Sequence, residues 1–362
     1  MKITKVEAKC YRVPVSVPLK REPMPREVVV AQIETDSGLV GYGLTGHILR
    51  GAIAEFINHE AGPHLVGHDP LPAERVWSDL FSAFNVRTLT GVWSSAVSAI
   101  DIALWDIRGK HHGVPTSQLL GGARTKVPAY ITFGLLDYSC EELVEVAKMF
   151  VNEGQDKLKM VVAIDRAQDP AEDARRVHAV RKTIGDRVEL MIDANYLFSY
   201  PNALRLCELV EDCGLKWFEE PVYGNDFRLL ADLRRKTRIP IAAGQNLGHV
   251  WHHRELIVNQ AVDISQPNAC YVGGYTEGLR VAALAHAFNL PIANGGGWPH
   301  HNLHLQAAAP NGTRVEFHYL MWKTGEALFA TTPKPVKGWV EVPQVPGLGL
   351  DLSPEAEKYR IH

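Results

Sequence analysis

Apolar and polar positions follow two rhythms along this chain, and the change between them falls near residue 125. Residues 1–13 alternate as a half-buried strand does. Glu27–Asp36, Ser37-Gly38 and Leu39–Leu44 then predict two strands joined by a hairpin turn. Between them, Pro14–Arg26 carries four prolines with Lys20, Arg21 and Arg26, and reads as an exposed loop. Ser94–Lys110 places Ala96, Ile100, Ala103 and Leu104 at helical spacing. Strands followed by helices in one block predict a small α+β domain.

From Val127 onward, short apolar runs recur at Val127–Phe133, Lys157–Val162, Val188–Ile192, Leu215–Phe218, Ile239–Ala243, Val262–Ser265, Leu290–Ala293 and Thr313–Phe317. Their starts lie 23–31 residues apart, and most intervals carry a helical pattern such as Asp169–Ile184. Eight such units are what a parallel (β/α) barrel requires, although an open doubly wound sheet has the same spacing. The division expected is an α+β capping domain over residues 1–125, a TIM-type barrel over 126–330, and a tail over 331–362 that returns to the first domain. The fold class is α/β.

Composition narrows the function classes. The chain has 362 residues, 46% hydrophobic and 22% charged, with a net charge of −3, so no nucleic-acid footprint or basic membrane face is expected. No run approaches ~18 apolar residues, and the amino terminus has no signal-like apolar core. Five cysteines without a C-x-x-C pair exclude a disulfide scaffold and fit a reducing, cytoplasmic setting.

The candidate chemistry lies where the runs end, because the active site of a βα barrel forms at the carboxyl ends of its strands. Those ends read Lys157-Leu158-Lys159, Asp193-Ala194-Asn195, Glu219-Glu220-Pro221, Gln245-Asn246, Gln266-Pro267-Asn268, Asn294 and Glu316-Phe317-His318. Alternation puts Lys157 and Lys159 on one face of their strand, and Asp193 and Asn195 likewise share a face of theirs. Inside a barrel, so many unpaired charges would be very costly. Either a hard divalent cation such as Mg²⁺ gathers the oxygens, or Asp193 and Glu219 simply pair with the two lysines.

These residues resemble the enolase superfamily, in its mandelate racemase/muconate lactonizing enzyme branch. The resemblance covers nearly the whole chain, including Ala99–Asp106, Gly109-Lys110 and Leu119–Gly122 at the handover from cap to barrel. Lys157-x-Lys159 looks like the mandelate racemase subgroup. Asp193, Glu219 and Gln245, each 26 residues apart, look like its metal-ligand ladder. The resemblance implies one Mg²⁺ per subunit, a small-molecule carboxylate substrate, a homo-oligomer, and removal of the proton α to the carboxylate. Lys159 would be the base, neutral only if its pKa is pushed down, while Lys157 and Glu316 would hold the substrate carboxylate. The loop Pro14–Arg26 would close over the mouth and present Lys20 and Arg21 to an anionic acid.

Three departures alter that expectation. Gln245 stands where the subgroup usually has Glu, which removes one negative charge from the ligand set. Asn268 and Asn294 occupy the usual places of an Asp-His dyad, where they are candidates for substrate contact alongside Asn195. A two-base racemase therefore lacks its second base, and dehydration of a hydroxy acid or sugar acid becomes the leading expectation. A racemase or epimerase and a non-catalytic carboxylate-binding barrel are the alternatives. The missing acid is sought among histidines after the fifth and seventh runs, above all His300 and His301, with Tyr196 a further option. His300 and His304 could instead form a helical zinc pair, but oxygen-rich strand ends favour Mg²⁺.

Overall fold

The computed structural model describes residues 1–46, 48–84 and 91–361. It opens on three antiparallel strands, β1 (Ile3–Val15), β2 (Met24–Thr35) and β3 (Val40–Thr45), in that spatial order. The first two run further than the alternation predicts, because Pro14 pairs with Pro25 and Val15 with Met24. Prolines are tolerated there, since β3 reaches only as far as Val29 and no third strand needs their missing N–H. The proline-rich loop thus shrinks to residues 16–23, and Arg26 becomes a strand residue opposite Val13.

The helix Val92–His112 lies directly on β3. Gly41 and Gly43 permit this approach: a Cβ at either would collide with the carbonyl oxygens of Ala103 and Ala99. Two buried carboxylates on that helix then tie the parts together. Asp106 accepts hydrogen bonds from Tyr42 N, Leu348 N and Lys110 Nζ at 3.1, 2.8 and 2.9 Å. Asp101 accepts two from Thr276, on the helix Gly274–Ala287, at 3.0 and 2.6 Å.

The parallel strands are β4 (Lys126–Gly134), β5 (Lys157–Val161), β6 (Glu189–Asp193), β7 (Phe218–Glu219), β8 (Ile241–Ala243), β9 (Ile264–Ser265) and β10 (Val315–His318). Their order is β10-β4-β5-β6-β7-β8-β9. The seventh predicted run contributes only the bridging residue Ile292, which pairs with Ser265 on one side and Gly312 on the other. That bridge closes the ring toward β10, so the open-sheet alternative falls and the fold is a TIM-type barrel. After β10, β11 (Trp339–Glu341) adds antiparallel to β4, and the chain meets the first sheet where Ile361 N donates to Cys10 O.

The barrel interior is filled at its amino end by Tyr130, Met191, Trp217 and Ala242. This apolar floor is a packed core layer. All five cysteines are free and buried, and among the described residues no helix is long and apolar enough to cross a membrane.

Candidate active site

Above the floor, the inward side chains become charged. Lys159 is fully buried, and its Nζ meets Asp193 Oδ2 at 2.9 Å, Glu219 Oε1 at 2.5 Å and Glu316 Oε1 at 2.9 Å. Each carboxylate is held further. Asp193 Oδ1 accepts Asn195 N, Glu219 Oε2 accepts Trp217 Nε1 and Gln266 Nε2, and Glu316 accepts Thr132 Oγ1 and Gly297 N. Burial pulls the Lys159 ammonium down, but Asp193, Glu219 and Glu316 outweigh it and hold it well above its ordinary value. Paired in this way the lysine carries its charge, whereas the resemblance implies a neutral base. The pairing predicted as the alternative to a metal is present for this lysine.

Lys157 is placed differently from expectation. It shares the inward face of β5 but lies two residues nearer the floor, which is roughly 6–7 Å along a strand. Its Nζ contacts Asp156 Oδ1 at 2.7 Å and lies over the Trp339 ring, beneath the barrel. It does not reach the mouth. The next inward position above Lys159 is Val161.

Over the charged layer lies a cavity of about 420 Å³. Barrel residues Val161, Asp193, Asn195, Tyr196, Gln245, Asn246, Tyr271, Glu316 and His318 form its base, and Arg26, Ile48, Leu49, Ser94 and Ser95 of the first domain form its roof. Asn195 and Tyr196, just after β6, have φ of 46° and 51°. Such strain in non-glycine residues concentrates at functional sites.

Of the expected substrate residues, Asn195 and Glu316 line this cavity, and the other four do not. Lys20 is bound to Glu142 Oε2 and Asp137 O, both at 2.9 Å, and Arg21 is exposed. Arg26 is the loop cation that reaches the cavity, because β2 carries it there. Asn268 and Asn294 are fully buried, and both donate to Gly295 O, so they brace the glycine run beside the site.

The expected histidines lie apart from the residues that line this cavity. His300 and His301 lie on the buried helix Pro299–Ala308, with His300 packed against Gly325 and His301 against Phe329. Burial holds His300 down to about 4 and His301 well below its ordinary value. His304 meets Leu348 O at 3.1 Å, so it forms no zinc pair with His300. Arg26, Val161, Tyr271 and His318 were not among the expected site residues.

The donor set fits a hard divalent cation. Asp193 and Gln245 face the same cavity, Glu219 lies directly beneath, and Gln245 Oε1 is a buried oxygen without a hydrogen-bond partner. Gln245 Nε2 donates to Glu220 Oε2 at 2.8 Å, which turns that oxygen away from Glu220. Glycine at 295 keeps the space open, since a Cβ there would lie 2.9 Å from Glu219 Oε1. Three buried carboxyl groups, Asp193, Glu219 and Glu316, share Lys159, and a fourth, Glu220, is buried beside them with the side-chain amides of Gln245 and Asn225 as partners. Burial, and then Asp193, pushes Glu220 up to about 7. An added cation would relieve that excess.

Comparison with known proteins agrees with this architecture. An arabinonate dehydratase of Saccharolobus solfataricus is 31% identical over 340 residues, covering 91% of this chain and 89% of its own. A solved racemase from Streptomyces coelicolor A3(2), with bound magnesium, superposes with a TM-score of 0.91 at 29% identity over 99% of this chain and 100% of its own. An L-talarate dehydratase from Polaromonas sp. JS666, complexed with Mg and L-glucarate, gives 0.88 at 33% identity over 99% and 97%. Magnesium is thus the ion that solved relatives hold. Residues 3–121 match the mandelate racemase / muconate lactonizing enzyme N-terminal domain, and residues 142–356 match the enolase C-terminal domain-like family. With both halves matched and the cavity formed where they meet, the chain belongs to the mandelate racemase/muconate lactonizing enzyme family of the enolase superfamily.

Proposed function

We propose that this protein is a magnesium-dependent hydro-lyase that dehydrates an acid sugar. The observation that carries the reading is the unpartnered Gln245 Oε1 beside Asp193, facing a cavity whose roof supplies Arg26. Asp193, Glu219 and Gln245 would hold the ion, which when bound polarises a substrate carboxylate and offsets the charge that develops on it. Arg26 and Asn195 bind and orient the anionic, hydroxylated substrate. Ile48 and Leu49 cover the mouth and exclude water. Named relatives that act on arabinonate and talarate support the acid-sugar class.

Dehydration is favoured over racemisation because the usual second base is absent: Asn268 and Asn294 are committed to the glycine run. The test is incubation with Mg²⁺ and a panel of aldonic and aldaric acids in deuterated water. Formation of a 2-keto-3-deoxy acid supports the reading. Deuterium at the α-carbon with inverted configuration and no keto acid would assign an epimerase instead. Tight acid binding with neither exchange nor product would favour the carboxylate-binding reading, which Val161 at the mouth makes worth testing.

A further inference from the structure

The cavity contains a proton-accepting side chain that the lysine and histidine expectations overlook. His318 is the last residue of β10 and the only imidazole among the described residues that line the cavity. It lies two residues beyond Glu316, on the same face and one step nearer the mouth. Register aligns His318 with Thr132 on β4, and Thr132 with Lys159 on β5. On β5 itself the cavity meets Val161, while Lys159 is enclosed by three carboxylates below.

We propose that His318 exchanges a proton with the substrate carbon, doing on β10 what Val161 cannot do on β5. This inference rests on the dehydratase reading of the same site. Burial, with Arg26 and Lys159 nearby, holds the imidazole down to about 3, so the ring is neutral but weakly basic until the site is filled. Asp193 is the charge that opposes those two cations. An anionic substrate beside Arg26 adds to that opposition and raises the ring's proton affinity when the site is filled. Nδ1 is buried without a hydrogen-bond partner, and acceptance at Nε2 requires the neutral ring to carry its hydrogen on Nδ1. Nε2 takes the α-proton, and the electron pair of the broken C–H bond forms the new C=C bond as the C–O bond to the β-hydroxyl breaks. The proton on Nε2 then leaves with that hydroxyl as water. The remaining enol acid tautomerises to the 2-keto-3-deoxy acid.

The experiment compares wild type, His318→Asn, His318→Gln and the double variant His318→Asn/Val161→Lys, with galactarate and arabinonate as probes. Deuterium exchange at the α-carbon and keto-acid formation are followed by NMR, and binding of the same acids by calorimetry, all at saturating Mg²⁺. We expect both single variants to bind the acid within about twofold of wild type while exchange and turnover fall about 100-fold or more. Exchange regained in the double variant would further support a missing base. Wild-type rates in either folded single variant would overturn the assignment of His318 and leave the dehydratase reading intact. A parallel loss of binding and exchange would overturn it too, by giving His318 a binding role only. A wild type that binds both acids but never exchanges would overturn the dehydratase reading itself.

Discussion

Lys157 and Lys159 stand two residues apart on one strand and face the same way, yet they belong to opposite ends of the barrel. Lys157 lies at the floor, beside half-exposed Asp156 and the Trp339 ring. Lys159 lies in the charged layer, with no solvent contact and three carboxylates around it. Between the floor and the mouth the inward residues change from Tyr130, Met191 and Trp217 to acids, amides and His318. The lesson is that alternation assigns a face, whereas depth along the strand assigns a role.

The sharpest way to break the comparison is to remove each ammonium in turn. Lys159→Met leaves buried carboxylates unpaired and should cost about 3–5 kcal/mol of stability, read by urea unfolding in the presence of a chelator. Saturating Mg²⁺ should recover part of that loss, because it supplies the positive charge the variant lacks. Next in size, Arg26→Ala should weaken acid-sugar binding by about 1.5–3 kcal/mol in calorimetry, while Lys20→Ala should leave it unchanged. Gln245→Glu should tighten Mg²⁺ binding about tenfold, or ~1.4 kcal/mol. Without metal the same variant should melt earlier, since it sets a carboxylate against Glu220. Smallest is Lys157→Met: its partner is half-exposed, and unfolding should register less than about 1 kcal/mol. Equal losses at 157 and 159 would contradict the layered description.

Much of the fold was legible because hydrophobic runs at regular spacing report a repeating unit regardless of its details. Ile292 shows the limit, since a run can be predicted correctly and still supply only a single bridge. In the site, the carboxylates at strand ends stood out, because Asp193 and Glu219 interrupt apolar runs and demand an explanation. Val161 gave no such signal: an aliphatic residue at a strand end looks like core whether it faces a neighbour or a substrate. Arg26 was hidden because prolines mark a loop, and the ladder through Pro14 and Pro25 cannot be seen from composition. The clustered histidines are the opposite case, conspicuous in sequence but placed away from the cavity. His300, His301 and His304 lie on a helix buried on every side, where packing and not access decides their surroundings.

The enclosure of Lys159 has a consequence for how the protein lives in a cell. Its ammonium is a covalently attached countercharge for the acidic layer, present from the moment the chain leaves the ribosome. A barrel so built is expected to assemble in magnesium-poor surroundings and to load its ion afterwards, so that scarcity of the metal would idle the enzyme without sending it to the proteases.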